Sequence, residues 1–224
     1  MGFKMKNLNQ LIIKFDYEQN FKDQDFYVSK SNEYSFKLLS SWPKWEKNFL
    51  NLIGEKFSGK THLINIFLKK FKGIKINASE ISNQILKDIK IYENIIIENI
   101  DDNVDENLFF TLLNIIDQDN KFLIVTSVKS IVEISFKLND LNSRSKNFLL
   151  SYIERPDDEL MFALILKNLS DRQISIDKKL IDYIIKRIDR SYSKIFDFIY
   201  KIDELSLKRK KSIDFKIIKE VLGE

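Results

Sequence analysis

The sequence predicts an α/β fold: a three-layer α/β/α unit with a mostly parallel sheet around a phosphate-binding loop, followed by a smaller, all-helical unit. Three observations predict it. Short β-branched runs alternate with helical spacing between positions 49 and 127. A Gly-Lys-Thr loop joins the first such strand to the first such helix. After Arg155-Pro156 the strand-like runs stop and helical patterns follow one another.

The elements can be justified in order. Ser31 to Ser41 reads as a helix that ends at Trp42-Pro43, because proline disfavours helix at the residue before it. Phe49 to Ile53 is a buried strand, Gly54 to Gly59 a turn, and Lys60 to Phe71 a helix with apolar positions Leu63, Ile66, Phe67 and Phe71. Gly73 to Asn77 and Ser79 to Ile89 repeat the strand–helix pattern. Asn94 to Asn99 is a third strand, Asp105 to Gln118 an amphipathic helix, and Lys121 to Ser127 a strand ending in hydroxyls. Asp157 to Leu169, Asp177 to Arg187, Tyr192 to Leu207 and Asp214 to Leu222 read as helices, with Asp157 and Asp177 as caps. The expected units are an N-terminal arm over residues 1–25, the α/β unit over 26–153 and the helical unit over 154–224.

Composition excludes several classes. Of 224 residues, 44% are hydrophobic and 31% charged, too apolar for a disordered chain. With no Cys and one His, His62, neither a disulfide framework nor a His-cluster metal site can form. A net charge of +4, carried far more by Lys than by Arg, argues against sequence-specific DNA binding. The longest uncharged run is ten residues, Asn107 to Ile116, well short of the roughly 20 that span a membrane. The first residues lack the apolar run of a signal peptide, so the cytoplasm is the expected compartment.

Gly54-Glu55-Lys56-Phe57-Ser58-Gly59-Lys60-Thr61 fits the G-x-x-x-x-G-K-[ST] pattern. Such a loop points backbone N–H groups at a phosphate chain, and the helix that follows adds its positive end. Lys60 is expected at the β- and γ-phosphates and Thr61 at Mg²⁺; Lys56, Ser58, Gly59 and His62 complete the cradle. ATP or ADP is the expected ligand class. Ile95-Ile96-Ile97-Glu98-Asn99 ends in one acid, so Glu98 is the candidate second Mg²⁺ ligand. Asn99 stands where hydrolysing enzymes place a water-orienting carboxylate, and it cannot act as a base. Thr126 and Ser127 reach the same sheet edge, either to sense the γ-phosphate or to cap the next turn.

These residues resemble the DnaA/Hda family of AAA+ proteins. Gly59-Lys60-Thr61-His62-Leu63 is similar to the family's G-K-T-H-L loop. Asp25-Phe26-Tyr27-Val28 with Ser31-Asn32 resembles its adenine-contacting segment, which implicates Val28. Leu141-Asn142-Ser143-Arg144 resembles the S-R motif that carries an arginine finger. Ile153-Glu154-Arg155-Pro156-Asp157-Asp158-Glu159 is similar to the start of its helical lid. The chain ends soon after the lid-like segment, and Gln10-Leu11-Ile12-Ile13-Lys14-Phe15 resembles a sliding-clamp-binding peptide, with Gln10, Leu11, Ile13 and Phe15 as contacts. Both features point to the Hda branch.

The resemblance implies a nucleotide-binding regulator of replication initiation. It would bind the DNA polymerase sliding clamp (its beta subunit) and stimulate hydrolysis of ATP on DnaA, with Arg144 acting in trans and little activity of its own. Self-association stays open, and no membrane partner is expected. Three departures stand out. Phe57 replaces a glycine; Asn99 replaces the second acid, which suits holding ADP over turning over ATP; and Lys194, beside Ser193, stands near the position of the lid arginine termed sensor 2. A stand-alone P-loop ATPase or kinase, and a DnaA-like helicase-loading factor, are the alternative functions.

Overall fold

The computed structural model describes residues 26–209 and 211–224. The clamp-like peptide with Gln10, Leu11, Ile13 and Phe15 lies outside the described residues. In chain order the elements are α1 (Glu33–Ser40), β1 (Phe49–Ile53), α2 (Lys60–Lys70), β2 (Gly73–Asn77), α3 (Asn83–Asp88), β3 (Asn94–Ile100), α4 (Glu106–Gln118), β4 (Phe122–Ser127), α5 (Asn139–Ser145) and β5 (Leu149–Tyr152). Then come α6 (Asp158–Asp171), α7 (Lys178–Ile185), α8 (Tyr192–Arg209) and α9 (Phe215–Leu222).

The sheet is parallel throughout, in the order β2-β3-β4-β1-β5. Helices cover both faces, which is why its strands read as unbroken apolar runs. Leu50, Leu52, Ile96 and Ile124 pack on Leu63, Ile64 and Phe67 of α2. Ile95, Ile97 and Val125 alternate to the other face and pack on Phe109 and Leu112 of α4. β1 lies between β4 and β5, so the loop after it opens at the middle of the carboxyl edge. A separate apolar cluster, including Met161, Ile165, Ile181, Ile195, Ile199 and Ile218, holds α6 to α9 together.

The caps follow local chemistry. Asp105, Asp157 and Asp214 accept from the backbone N–H three residues on, and Asp177 from Lys179; each such cap is worth about 1 kcal/mol. The helix predicted over Ser79 to Ile89 is broken in two. Asn77 and Glu80 form a reciprocal capping box around a short turn, and Ser82 then caps α3 afresh. These three polar side chains divide what apolar spacing alone reads as one helix. The patterning did not mark β5 or α5. β5 is a four-residue edge strand beside a Ser/Asn-rich stretch, too short to show a period.

In β1, Asn51 is a fully buried polar side chain. Asn51 donates to Val125 O (3.1 Å) and Ser127 Oγ (2.9 Å) and accepts from Ile131 N (2.8 Å). It fixes the turn after β4, and Gly54 N donates to Ser127 O at the same place (3.1 Å). Asn51→Ala leaves Ile131 N–H without its acceptor and opens a void. Urea unfolding should show a loss of about 2–4 kcal/mol.

Candidate functional site

The loop from Gly54 to Gly59 closes on itself. Lys60 Nζ donates to Gly54 O (2.6 Å) and Glu55 O (2.9 Å), so its ammonium is pinned inside the turn. Burial pulls the Lys60 pKa down to about 8, while the charges of Glu55 and Glu98 oppose the fall. Gly54 is dictated by space: a Cβ there would stand 2.6 Å from Ser58 Oγ. Gly59 has φ +93°, and a Cβ on it would press on the Phe26 ring. Phe57 also takes the left-handed conformation, with φ 67°. That costs a non-glycine residue roughly 1–2 kcal/mol. Its ring lies 4.9 Å from Phe196 of α8, and an aromatic pair is worth about 0.5–1.5 kcal/mol, which offsets much of the strain.

The loop floors a cleft of about 1030 Å³ between the sheet edge and the C-terminal helices. That is large enough for a nucleotide. Phe26 forms one wall, edge-on to His62 (5.3 Å) and stacked near Phe36 (6.0 Å). Asn32 shapes this wall: it donates to Tyr27 O and accepts from Ser29 N, both at 3.0 Å. Leu160, Ala163 and Leu164 of α6 and Tyr192 and Phe196 of α8 form the opposite wall.

Hydrogen bonds fasten the two walls together. Ser31 Oγ donates to Asp157 Oδ2 and accepts from Asp157 N. Burial works against the Asp157 charge, but the bonds from Leu160 N–H, Ser29 and Ser31 outweigh it and hold the carboxyl below its ordinary range. Tyr192 is buried and donates to Glu154 O (3.0 Å). Glu55 accepts from Ser191 Oγ, Tyr192 N (3.1 Å) and Ser193 N (3.3 Å), so a loop carboxylate caps α8 from a distant part of the chain. Burial again opposes the charge; the bonds from Ser191, Ser193 and Tyr192 prevail and lower the Glu55 pKa.

The structure brings together Lys56, Ser58, Gly59, Lys60, Thr61 and His62 on the cleft wall, with Gly54 beneath them. Glu98 does not itself line the cleft, although its neighbour Asn99 does and the Glu98 charge acts on Lys60. The Asn99 backbone is left-handed, with φ 61°, at an irregularity in the β3–β4 pairing. Its N–H donates to Thr126 Oγ1 (3.0 Å), so Thr126 is committed to that irregularity, is 1% exposed and does not face the cleft. Val28 is 39% exposed and points away; Phe26, Tyr27 and Asn32 line the cleft in its place. Lys194 sits on the exposed face of α8, because Tyr192 is the buried anchor and the helix turns Phe196 into the cleft. Arg144 lies off the cleft, 4.0 Å from Asp117 and over the Phe110 ring. Patterning missed Glu55, Tyr192, Phe196 and Lys129; Glu55 occupies a variable motif position and carries no local signal.

The residues present fit a phosphate–Mg²⁺ pair. Glu98 Oε1 and Ser58 Oγ are buried without a hydrogen-bond partner among the described residues. Glu98 Oε2 is 3.4 Å from Lys75 Nζ. Among the described residues no three His, Cys, Asp or Glu side chains gather to hold a metal. A Mg²⁺ held by Thr61 and Glu98 therefore needs phosphate oxygens and water to complete its shell.

Comparison with known proteins agrees with this geometry. Residues 157–222 match the family described as Hda, lid domain. The chromosomal replication initiator protein DnaA of Thermoanaerobacter sp. (strain X514) is 24% identical over 225 aligned positions, covering 89% of this chain and 51% of that protein. The chain thus spans about half the length of the DnaA relatives it matches. Domain III of Thermotoga maritima DnaA shares the fold with a TM-score of 0.70 at 17% identity, over 91% of this chain and 95% of that one. AMPPCP-bound DnaA from Aquifex aeolicus does so with a TM-score of 0.67 at 20% identity, over 85% and 68%. Fold, relatives and lid point the same way: the chain is similar to the AAA+ proteins of the Hda/DnaA family, and its last helices match the Hda lid domain.

Proposed function

We propose that this protein is a nucleotide-holding regulator of replication initiation. It binds an adenine nucleotide, ADP in preference to ATP, docks on the DNA sliding clamp through Gln10, Leu11, Ile13 and Phe15, and presents Arg144 to ATP bound on DnaA. The observation that carries the reading is the closed phosphate loop, with Lys60 set on its own carbonyls beneath a nucleotide-sized cleft. The Aquifex aeolicus DnaA that shares the fold was solved with AMPPCP, which supports the ligand class.

Each residue has a distinct part. Lys60 and the loop amides neutralise the phosphate chain. Thr61 and Glu98 hold Mg²⁺, which when bound screens charge between the phosphates. Asn99 neither accepts nor passes on a proton, so water near it is not activated. Arg144 is kept in reach of a neighbouring molecule by the Phe110 ring and a loose ion pair with Asp117. One observation favours a second reading, an intrinsic ATPase: Asp101 and Asp102 follow β3 directly and line the cleft rim, where a carboxylate can orient water. Steady-state turnover of about 1 s⁻¹ or faster by the chain alone would select that reading.

Three outcomes test the proposal. The free Lys60 titrates near pH 8, and a bound polyanion raises its pKa. Nucleotide binding between pH 8 and 10 should therefore take up a proton, and affinity should fall with rising pH by at most about tenfold per unit. Calorimetry in buffers of different ionisation enthalpy reads this directly, and no uptake at pH 9 would refute the role of Lys60. Arg144→Ala should abolish stimulated ATP hydrolysis by DnaA, a loss on the order of 10³-fold or more, while nucleotide and clamp binding persist. Gln10→Ala with Leu11→Ala should remove clamp binding in surface plasmon resonance and spare nucleotide binding; undiminished clamp affinity would discard that part.

A further inference from the structure

We propose that Glu55 and Phe57 form a clasp that holds α8 shut over the cleft without nucleotide, so that nucleotide exchange is limited by opening of this clasp. The amides that open a helix attract an anion, and in a nucleotide pocket the phosphates themselves are the usual candidate. Here that role is filled from within. The Glu55 carboxylate accepts from Tyr192 N and Ser193 N and from the Ser191 hydroxyl, while Ser191 Oγ also accepts from Lys194 N (3.4 Å). The start of α8 is therefore capped by the chain's own carboxylate.

The second half of the clasp is Phe57. It holds a left-handed backbone (φ 67°) that glycine would adopt freely, and it extends a ring that is 52% exposed against Phe196 of α8. Strain at such a loop is retained when the side chain has work that glycine cannot do. Both rings line the cleft, so a nucleotide entering or leaving must pass beside them. Beside the clasp, the Ser31–Asp157 and Tyr192–Glu154 bonds also tie the starts of α6 and α8 to the α/β unit, independently of Glu55 and Phe57.

Closure without nucleotide is independent of the function proposed above; the effect on exchange rests on that reading. The test is hydrogen exchange on the full chain without nucleotide, followed by displacement of mant-ADP by excess ADP. The wild type should protect the Tyr192 and Ser193 amides in the absence of nucleotide. Glu55→Ala with Phe57→Gly should raise their exchange at least about tenfold while β1 and α9 stay unchanged, and should speed mant-ADP release by a similar factor. Phe196→Ala, which leaves the phosphate loop intact, should reproduce part of the faster release and guards against a folding defect in the double variant. Wild-type amides that become protected only when ADP is added would overturn the clasp, as would unchanged exchange in the double variant. Raised exchange with unaltered mant-ADP release would overturn the exchange-limiting role. If the wild type ignores mant-ADP altogether, the nucleotide reading fails, and the exchange data still decide closure.

Discussion

The first amides of a helix have no acceptor within it and carry the positive end of its dipole. At the head of α8 those groups face the phosphate loop, and Glu55 gives them a carboxylate. The position of the C-terminal helices depends on this junction and on its companions, Ser31 with Asp157 and Tyr192 with Glu154. The bonds are charge-assisted or buried, so each is stronger than an exposed contact. Were they absent, α6 to α9 would keep their own core, because that core is built from their own side chains. The cleft, however, would lose its second wall.

Part of the conformational cost sits at the same cleft. Of the four described non-glycine residues with left-handed backbones, Phe57 and Asn99 line it, while Asn120 and Gln173 lie elsewhere. Asn99 is left-handed where β3 and β4 fall out of register, and Thr126 supplies the acceptor that the ladder lacks there. Asn51, buried at the centre, ties β1 to the turn after β4. Lys60 is buried next to two carbonyls, and its charge persists because Glu55 and Glu98 are near. The sheet beneath is apolar and regular, and it is rigid enough to hold these polar and strained groups in place.

Much of the fold was legible because its signals are local. The strands Phe49 to Ile53 and Gly73 to Asn77 emerge with the bounds their apolar runs predict, and Asp157 and Asp177 cap the helices they precede. The phosphate loop was legible for the same reason: its chemistry lies within eight consecutive residues. What could not be read depends on distance or on rotation. No pattern in Gly54 to Thr61 reveals that Glu55 will meet Ser191. Motif register puts Ser193 at the lid-arginine position with Lys194 beside it, yet burial of Tyr192 rotates α8 so that Lys194 faces out and Phe196 faces in. Thr126 was read from the strand end alone, and the irregularity that claims its hydroxyl arises only when β3 and β4 pair.

The proposed reading separates holding a nucleotide from hydrolysing it. The groups assigned to holding one are internal: a closed loop, a pinned lysine, a sheltered acid and helices fastened over the cleft. Three groups assigned to hydrolysis in the family pattern are replaced or stand away from the cleft. Asn99 lacks a basic oxygen, Lys194 faces solvent, and Arg144 rests on α5 against Phe110, away from the cleft of its own chain. A guanidinium held there by one ring and one distant carboxylate is restrained but not satisfied, since its fork can pair with more acceptors than Asp117 offers. Such a division fits the function proposed above, in which the chain keeps one ligand and offers its arginine to the ligand of a neighbour.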